Sequence, residues 1–209
     1  MSILTEYEAE ENQTVSQDWK GILGIDYAMK GMAVFSDGTR AEYPEYYRKA
    51  EAKLAREQRK LSKCEKGSKN RDKQRLRVVR CHEKIRNQRK DFHDKLSRQL
   101  AERYSAVAVE DLDLKKMSSE HDLGKGVMDN GYGMFLNMLE YKLSDRGGKL
   151  VKVGRFYPSS KTCSCCGKVK NDLKLSDRIY VCECGNRMDR DINAAINIRK
   201  EGKRILNAV

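Results

Sequence analysis

Residues 155–199 read RFYPSSKTCSCCGKVKNDLKLSDRIYVCECGNRMDRDINAAINIR, and the rest of the chain is read outward from this stretch. Two cysteine pairs stand in it, Cys163 with Cys166 and Cys182 with Cys184, and each is followed by a turn glycine, Gly167 or Gly185. Four thiolates at about 2.3 Å from one ion make the closed tetrahedral site of a structural zinc. The second pair is C-x-C, one residue shorter than the usual ribbon spacing. Cys165 stands next to Cys166 and is an alternative to Cys163 or Cys166 as a ligand. Disulfides are the poorer reading, because nothing in the chain suggests export. Directly after the knuckle come Asp189, Arg190 and Asp191, then Ile192, Ala195, Ile196 and Ile198 at helical spacing. Asp191 therefore stands at the start of a helix, where a lone acid acts as a cap or first-turn charge worth roughly 0.5–2 kcal/mol.

Two further acids change the weight of that one. Residues 19–37, WKGILGIDYAMKGMAVFSD, predict a strand through Ile22, Leu23 and Ile25 ending at Asp26, a second strand at 32–35, and a turn at Ser36-Asp37-Gly38. Residues 105–114, SAVAVEDLDL, predict a short apolar strand ending in Glu110 and Asp111. A charge set in a buried strand is costly unless it is paired or bound to metal.

Between these strands, residues 44–104 predict a basic helical hairpin broken at Gly67-Ser68 and Asn70. Its inner faces are marked by Leu54 and Leu61, and by Ile85, Phe92, Leu96 and Leu100. His82 and His93 are expected at its surface, and Cys64 and Cys81 are ordinary thiols. Residues 117–132, with an exposed His121, are expected to form a loop. A helix at 134–143 and a strand at 149–153 follow. Strands with flanking helices give an α/β fold with a mixed sheet. Three carboxylates from separate elements can then converge at one edge, where hard oxygen ligands suit Mg²⁺ or Mn²⁺.

Bulk properties agree. The chain has 209 residues, 39% of them hydrophobic, and 43 Lys and Arg against 31 Asp and Glu, for a net charge of +12 and a pI near 9.3. Such a balance suits a polyphosphate partner, and the basic faces of the hairpin suit a phosphate backbone. With neither an 18-residue apolar run nor a leader-like start, no membrane span or signal peptide is expected, and the place expected is the cytoplasm, with the nucleoid.

Gly24-Ile25-Asp26, VEDL at 109–112, FYPSSKTCSCCG at 156–167 and DRDINAAINI at 189–198 together resemble the RuvC nuclease core and zinc ribbon of the TnpB (OrfB) insertion-sequence proteins, relatives of type V CRISPR effectors. The likeness runs over roughly residues 20–207. It implies an RNase H-like fold and RNA-guided DNA cleavage, with DNA as target and a guide RNA transcribed from the transposon end. By motif, Asp26, Glu110 and Asp191 correspond to the three catalytic acids, which hold two divalent ions for phosphodiester hydrolysis. Asp111 and Asp189 are neighbours without that role. Arg190 and Arg199, and Ser159, Ser160 and Lys161, stand where they could meet a strand or act as ordinary surface and turn residues.

The domains implied are a remnant of an N-terminal wedge at 1–19, the nuclease core at 20–155 with its helical insertion at 44–104, the zinc ribbon at 156–188, and the last core helix at 189–209. Full-length relatives carry a wedge and a recognition lobe before the first catalytic strand, and only about 20 residues precede it here. Three forms are therefore expected: a fragment, half of a split protein completed by a partner chain, or a stand-alone nuclease domain. The competing functions are a non-cleaving nucleic-acid-binding remnant and a strand-transfer transposase.

Overall fold

The computed structural model describes residues 21–29, 31–119, 124–174 and 176–208. The expected wedge remnant at 1–19 and His121 lie outside the described residues. Strands β1 (Ile22–Ala28), β2 (Met32–Phe35), β3 (Arg40–Glu42), β4 (Ala106–Glu110) and β5 (Lys149–Val153) form one sheet in the order β3-β2-β1-β4-β5. β1 pairs antiparallel with β2, and β2 with β3, whereas β1, β4 and β5 run parallel. The sheet is mixed, as expected. Strand β3 was not anticipated, being three residues long with only Ala41 buried.

Side-chain alternation divides this sheet into two covered faces. Leu23, Ile25, Val107 and Val109 point into the main core with Phe135, Leu139 and Leu143. Ala106, Ala108, Val151 and Val153 point the other way, against Ile198 and Leu206. Burial on both faces explains why β4 reads as an uninterrupted apolar run rather than an alternating one.

The first face is covered by α5 (Tyr132–Ser144) and the C-terminal part of α2 (Lys69–Arg103), against which α1 (Tyr46–Ser62) packs to complete the expected hairpin; α3 (Leu114–Ser119) and α4 (Gly124–Asn130) come between α2 and α5 in the chain. At the hairpin's bend Gly67 has φ +82°, and the Ser68 hydroxyl caps α2 by accepting from Arg71 N at 3.1 Å. The other face is covered by α6 (Arg190–Asn207), and a second small sheet pairs β6 (Ile179–Val181) with β7 (Arg187–Asp189).

Three expectations are corrected. His93 is fully buried, facing Tyr43, Phe92 and Phe135, while His82 is exposed as expected. His93 lies seven residues before Leu100, so the helix face that buries Leu100 buries it too. Described residues within 117–132 are mostly helical, with Val127, Asp129, Asn130 and Tyr132 buried. Glycines at 124, 126 and 131 disfavour a helix there in isolation, and tertiary contacts override them. Asp129 accepts from Tyr47 N and Arg48 N, both at 3.1–3.3 Å, and so caps α1, whose own N-cap Glu45 makes no side-chain cap bond. Asp26 is the fifth of seven residues in β1 rather than its last. No helix among the described residues is long and apolar enough to cross a membrane.

Candidate active site and metal centre

In the parallel pairing of β1 with β4, Ile25 stands opposite Val109, so the next step along both strands brings Asp26 and Glu110 side by side. Gly24, Asp26, Ala108 and Glu110 share one face, the face that α6 covers. α6 comes unusually close there. A Cβ on Gly24 would overlap the Ala195 carbonyl oxygen and lie 2.6 Å from Arg199 N, and one on Gly202 would overlap Ala108. Gly24 and Gly202 are therefore the positions that let helix and sheet touch. The contacts run in opposite directions along β1 and α6, so the N-terminus of α6 lies at the carboxyl ends of the parallel strands. Asp191, one turn before Ala195, is thereby carried to the end of the sheet where Asp26 and Glu110 stand, near enough for its charge to act on Asp26.

The electrostatics report this proximity. Burial first, then the Glu110 and Asp191 carboxylates, push Asp26 up to about 8, against the opposing pull of Arg190 and Arg40. Burial also raises Glu110. A half-buried carboxyl crowded by two others is a site that a divalent cation relieves, and the donor set is all oxygen. Among the described residues, however, only cysteines form a group whose ligand atoms all lie within 4.8 Å of one another. The sequence-predicted acids are thus brought together as neighbours rather than closed around a point.

Two residues organise the edge without having been singled out for it. Asp189 caps α6, its Oδ1 accepting from Asp191 N at 2.9 Å and Ile192 N at 3.2 Å. Arg40, from β3, donates to Asp189 Oδ2 at 2.9 Å and lies 4.0 Å from Asp191 Oδ2. Arg40 carried no signal in sequence, because it sits in an unanticipated strand 149 residues from its partner.

Cys163, Cys166, Cys182 and Cys184 form that close group, with Sγ atoms 3.7 Å apart for Cys163 with Cys184 and for Cys166 with Cys182. A tetrahedron of bonds near 2.3 Å has edges of about 3.8 Å, so the four sulfurs fit a single ion of zinc type. Burial opposes ionisation of Cys163, but the Cys166 and Cys165 backbone and the Asn186 amide bring its thiol down to about 6. Cys165 is exposed and outside the group. The knuckle is stapled to α6 by two buried asparagines. Asn193 Oδ1 accepts from Ser164 N at 2.9 Å, its amide donates to Thr162 O at 2.7 Å, and Asn197 donates to Ser159 O and Thr162 O. Both asparagines interrupt the apolar stripe of INAAINI at a four-residue interval, a signal that was there to be read.

Comparison with known proteins bears on the whole arrangement. Residues 2–120 match the OrfB_IS605 family, described as a probable transposase, and residues 132–198 match the TNB domain of Cas12f1-like proteins. A "Putative RNA-guided DNA endonuclease" of Streptomyces pristinaespiralis is 37% identical over 193 residues, covering 92% of this chain and 48% of that protein. InsQ of Escherichia coli (strain K12), with the same description, is 30% identical over 222 residues, covering 99% of this chain and 54% of its own. The chain spans about half the length of these relatives. Among solved structures, a Cas12f1 in complex with sgRNA and target DNA superposes with a TM-score of 0.59 at 24% identity, over 87% of this chain and 50% of that one. That likeness establishes the fold, a mixed α/β sheet with helical insertions of RuvC/TnpB type. On the match over 2–120, more than half its length, the chain belongs to the OrfB_IS605 family of probable transposases, within the wider group of TnpB and Cas12f-like proteins.

Proposed function

We propose that this chain carries the cleaving centre of an RNA-guided DNA endonuclease of a transposable element, with Asp26, Glu110 and Asp191 as the catalytic acids. The observation that carries the reading is their placement: three carboxyls from β1, β4 and α6 share the one face where the strands' carboxyl ends meet a helix N-terminus. Asp26, whose carboxyl feels both of the others, would hold both of a pair of Mg²⁺ or Mn²⁺ ions, with Glu110 and Asp191 each completing one. When bound, such ions supply an activated water and stabilise the leaving oxygen of an in-line displacement. The residues' own part is to gather three carboxyl groups in a partly dehydrated edge, with the α6 dipole beside them. Arg40 and the Asp189 cap hold the start of α6, and so the position of Asp191.

The accompanying division is the core at 20–155 with the helical insertion at 44–104, a zinc ribbon at 156–188 held by Cys163, Cys166, Cys182 and Cys184, and the last core helix at 189–209. Target DNA and a guide RNA are the partners. A groove of about 800 Å³ between α1 and α2 supports this, lined by Lys49, Lys53, Lys60, Arg77, Arg80 and Lys84 against the single acid Glu57.

The test is Mg²⁺-dependent cleavage of single- and double-stranded DNA by the purified chain, with and without RNA transcribed from the adjoining transposon end. RNA-dependent cutting is expected, lost in each of Asp26→Ala, Glu110→Ala and Asp191→Ala while the fold and nucleic-acid binding persist. Cutting retained by Asp26→Ala refutes the assignment, and an intact fold that never cuts favours a binding role.

A further inference from the structure

Three of the four phenylalanines, Phe35, Phe92 and Phe135, pack in the core, but Phe156 is 95% exposed. No other large apolar side chain among the described residues approaches this; the next, Met128, is 68% exposed. A wholly exposed phenyl ring commonly sits on a loose loop, where it is unremarkable. The turn that presents Phe156 is braced on both sides. Arg155 before it donates to Asp111 O at 3.3 Å and lies within 4 Å of the Asp111 and Asp113 carboxylates. Tyr157 after it packs with Ile198 and Val153, and its N–H donates to Gly154 O at 2.9 Å. Pro158 O then accepts from both Lys161 N and Thr162 N, closing the segment onto the cysteine knuckle.

The place of this ring matters as much as its exposure. Val153, the end of β5, stands opposite Glu110, and only two residues separate Val153 from Phe156. At 3.8 Å per residue the Phe156 Cα lies within about 11 Å of that of Val153. A backbone-braced turn therefore offers an aromatic face to solvent beside the carboxylate edge, with an arginine next to it. In a duplex the faces of the bases are covered by their neighbours, so only an unpaired base can lie on such a ring.

We propose that Phe156 is a stacking platform for an unpaired nucleobase of the strand presented to the carboxylate edge, and so a positioning residue selecting single-stranded over duplex DNA. This rests on the nuclease reading above, but its test does not need cleavage. Binding of the 209-residue chain to a short single-stranded DNA is measured in EDTA by fluorescence anisotropy, alongside the same oligonucleotide made of abasic units and a duplex of equal length. Phe156→Ala is expected to weaken single-strand binding about 5- to 150-fold, the range for loss of a base–aromatic stack, leaving abasic and duplex binding unchanged. Phe156→Trp is expected to restore it, and the exposed position means melting temperature stays constant in both. The proposal is overturned if Phe156→Ala binds the single strand as tightly as the parent, or if it weakens all three ligands equally. Loss of the catalytic reading alone would leave these binding differences in place and abolish only the metal-dependent cut.

Discussion

At the scale of single residues, Asp26 and His93 are each held in a protonation state that ordinary values would not give. Burial and two neighbouring carboxyls keep Asp26 protonated up to about 8, so folding at neutral pH requires a proton that the unfolded chain has released. Asp26→Asn is therefore expected to raise the melting temperature of the metal-free protein at pH 7, measured in chelator, even as the proposed catalytic role predicts that it loses cleavage. His93 is displaced the opposite way. Burial, reinforced by the Arg89 charge and only partly opposed by the Asn130 backbone, lowers it to about 4, and neither ring nitrogen reaches a hydrogen-bond partner of good geometry. Because the unfolded imidazole takes its proton first, stability is complete above the ordinary value near 6.5 and lost as pH falls from there toward about 4. The loss is roughly 3 kcal/mol. Chemical denaturation across pH 4–7 should show this slope, and His93→Phe should flatten it.

Among elements, the contact of α6 with the sheet decides whether the acids meet. Gly24→Ala places a methyl group against the α6 backbone and is expected to cost about 1–3 kcal/mol by overpacking. It should also reduce cleavage by more than the stability loss explains, since it displaces the helix bearing Asp191 while leaving every carboxylate intact. Comparing single-turnover rates with denaturation midpoints separates the two effects. The cysteine knuckle bears on the same helix through Asn193 and Asn197. Metal analysis should find one zinc per chain, lost in Cys182→Ser. Hydrogen exchange should then quicken across 159–189 and the first turns of α6, whereas β1 and β4, buried on both faces, stay protected.

For the whole molecule, a net charge of +12 and the cationic groove of the helical hairpin predict binding that weakens steeply with salt. Reversing Lys53, Arg80 and Lys84 together should lower the slope of log affinity against log salt by about 2–3, if each meets one phosphate. Lys53, Arg80 and Lys84 line the hairpin groove, which includes none of Asp26, Glu110 and Asp191, so the metal-dependent cutting of a strand already bound should be unaffected. Titrations at several salt concentrations, beside saturating single-turnover cleavage, measure both.

The sequence by itself determined the parts whose signal is local. Four cysteines with turn glycines, apolar runs ending near acids, and a charged hairpin broken at Gly67-Ser68 were all legible, because knuckles, strands and helix breaks depend on residues close in the chain. Asp26, Glu110 and Asp191 could be named as candidates in the same way. Only the tertiary structure decided that they are neighbours, since this depends on the β1–β4 register and on two glycines that let α6 approach. It also decided that residues 124–130 are a helix capping α1 through Asp129, that His93 is interior, and that Arg40 reaches Asp189 across 149 residues. Propensity and spacing report what a segment prefers when alone. Which face is covered, and which distant group answers a buried charge, is settled by packing energies that exist only once the layers have come together.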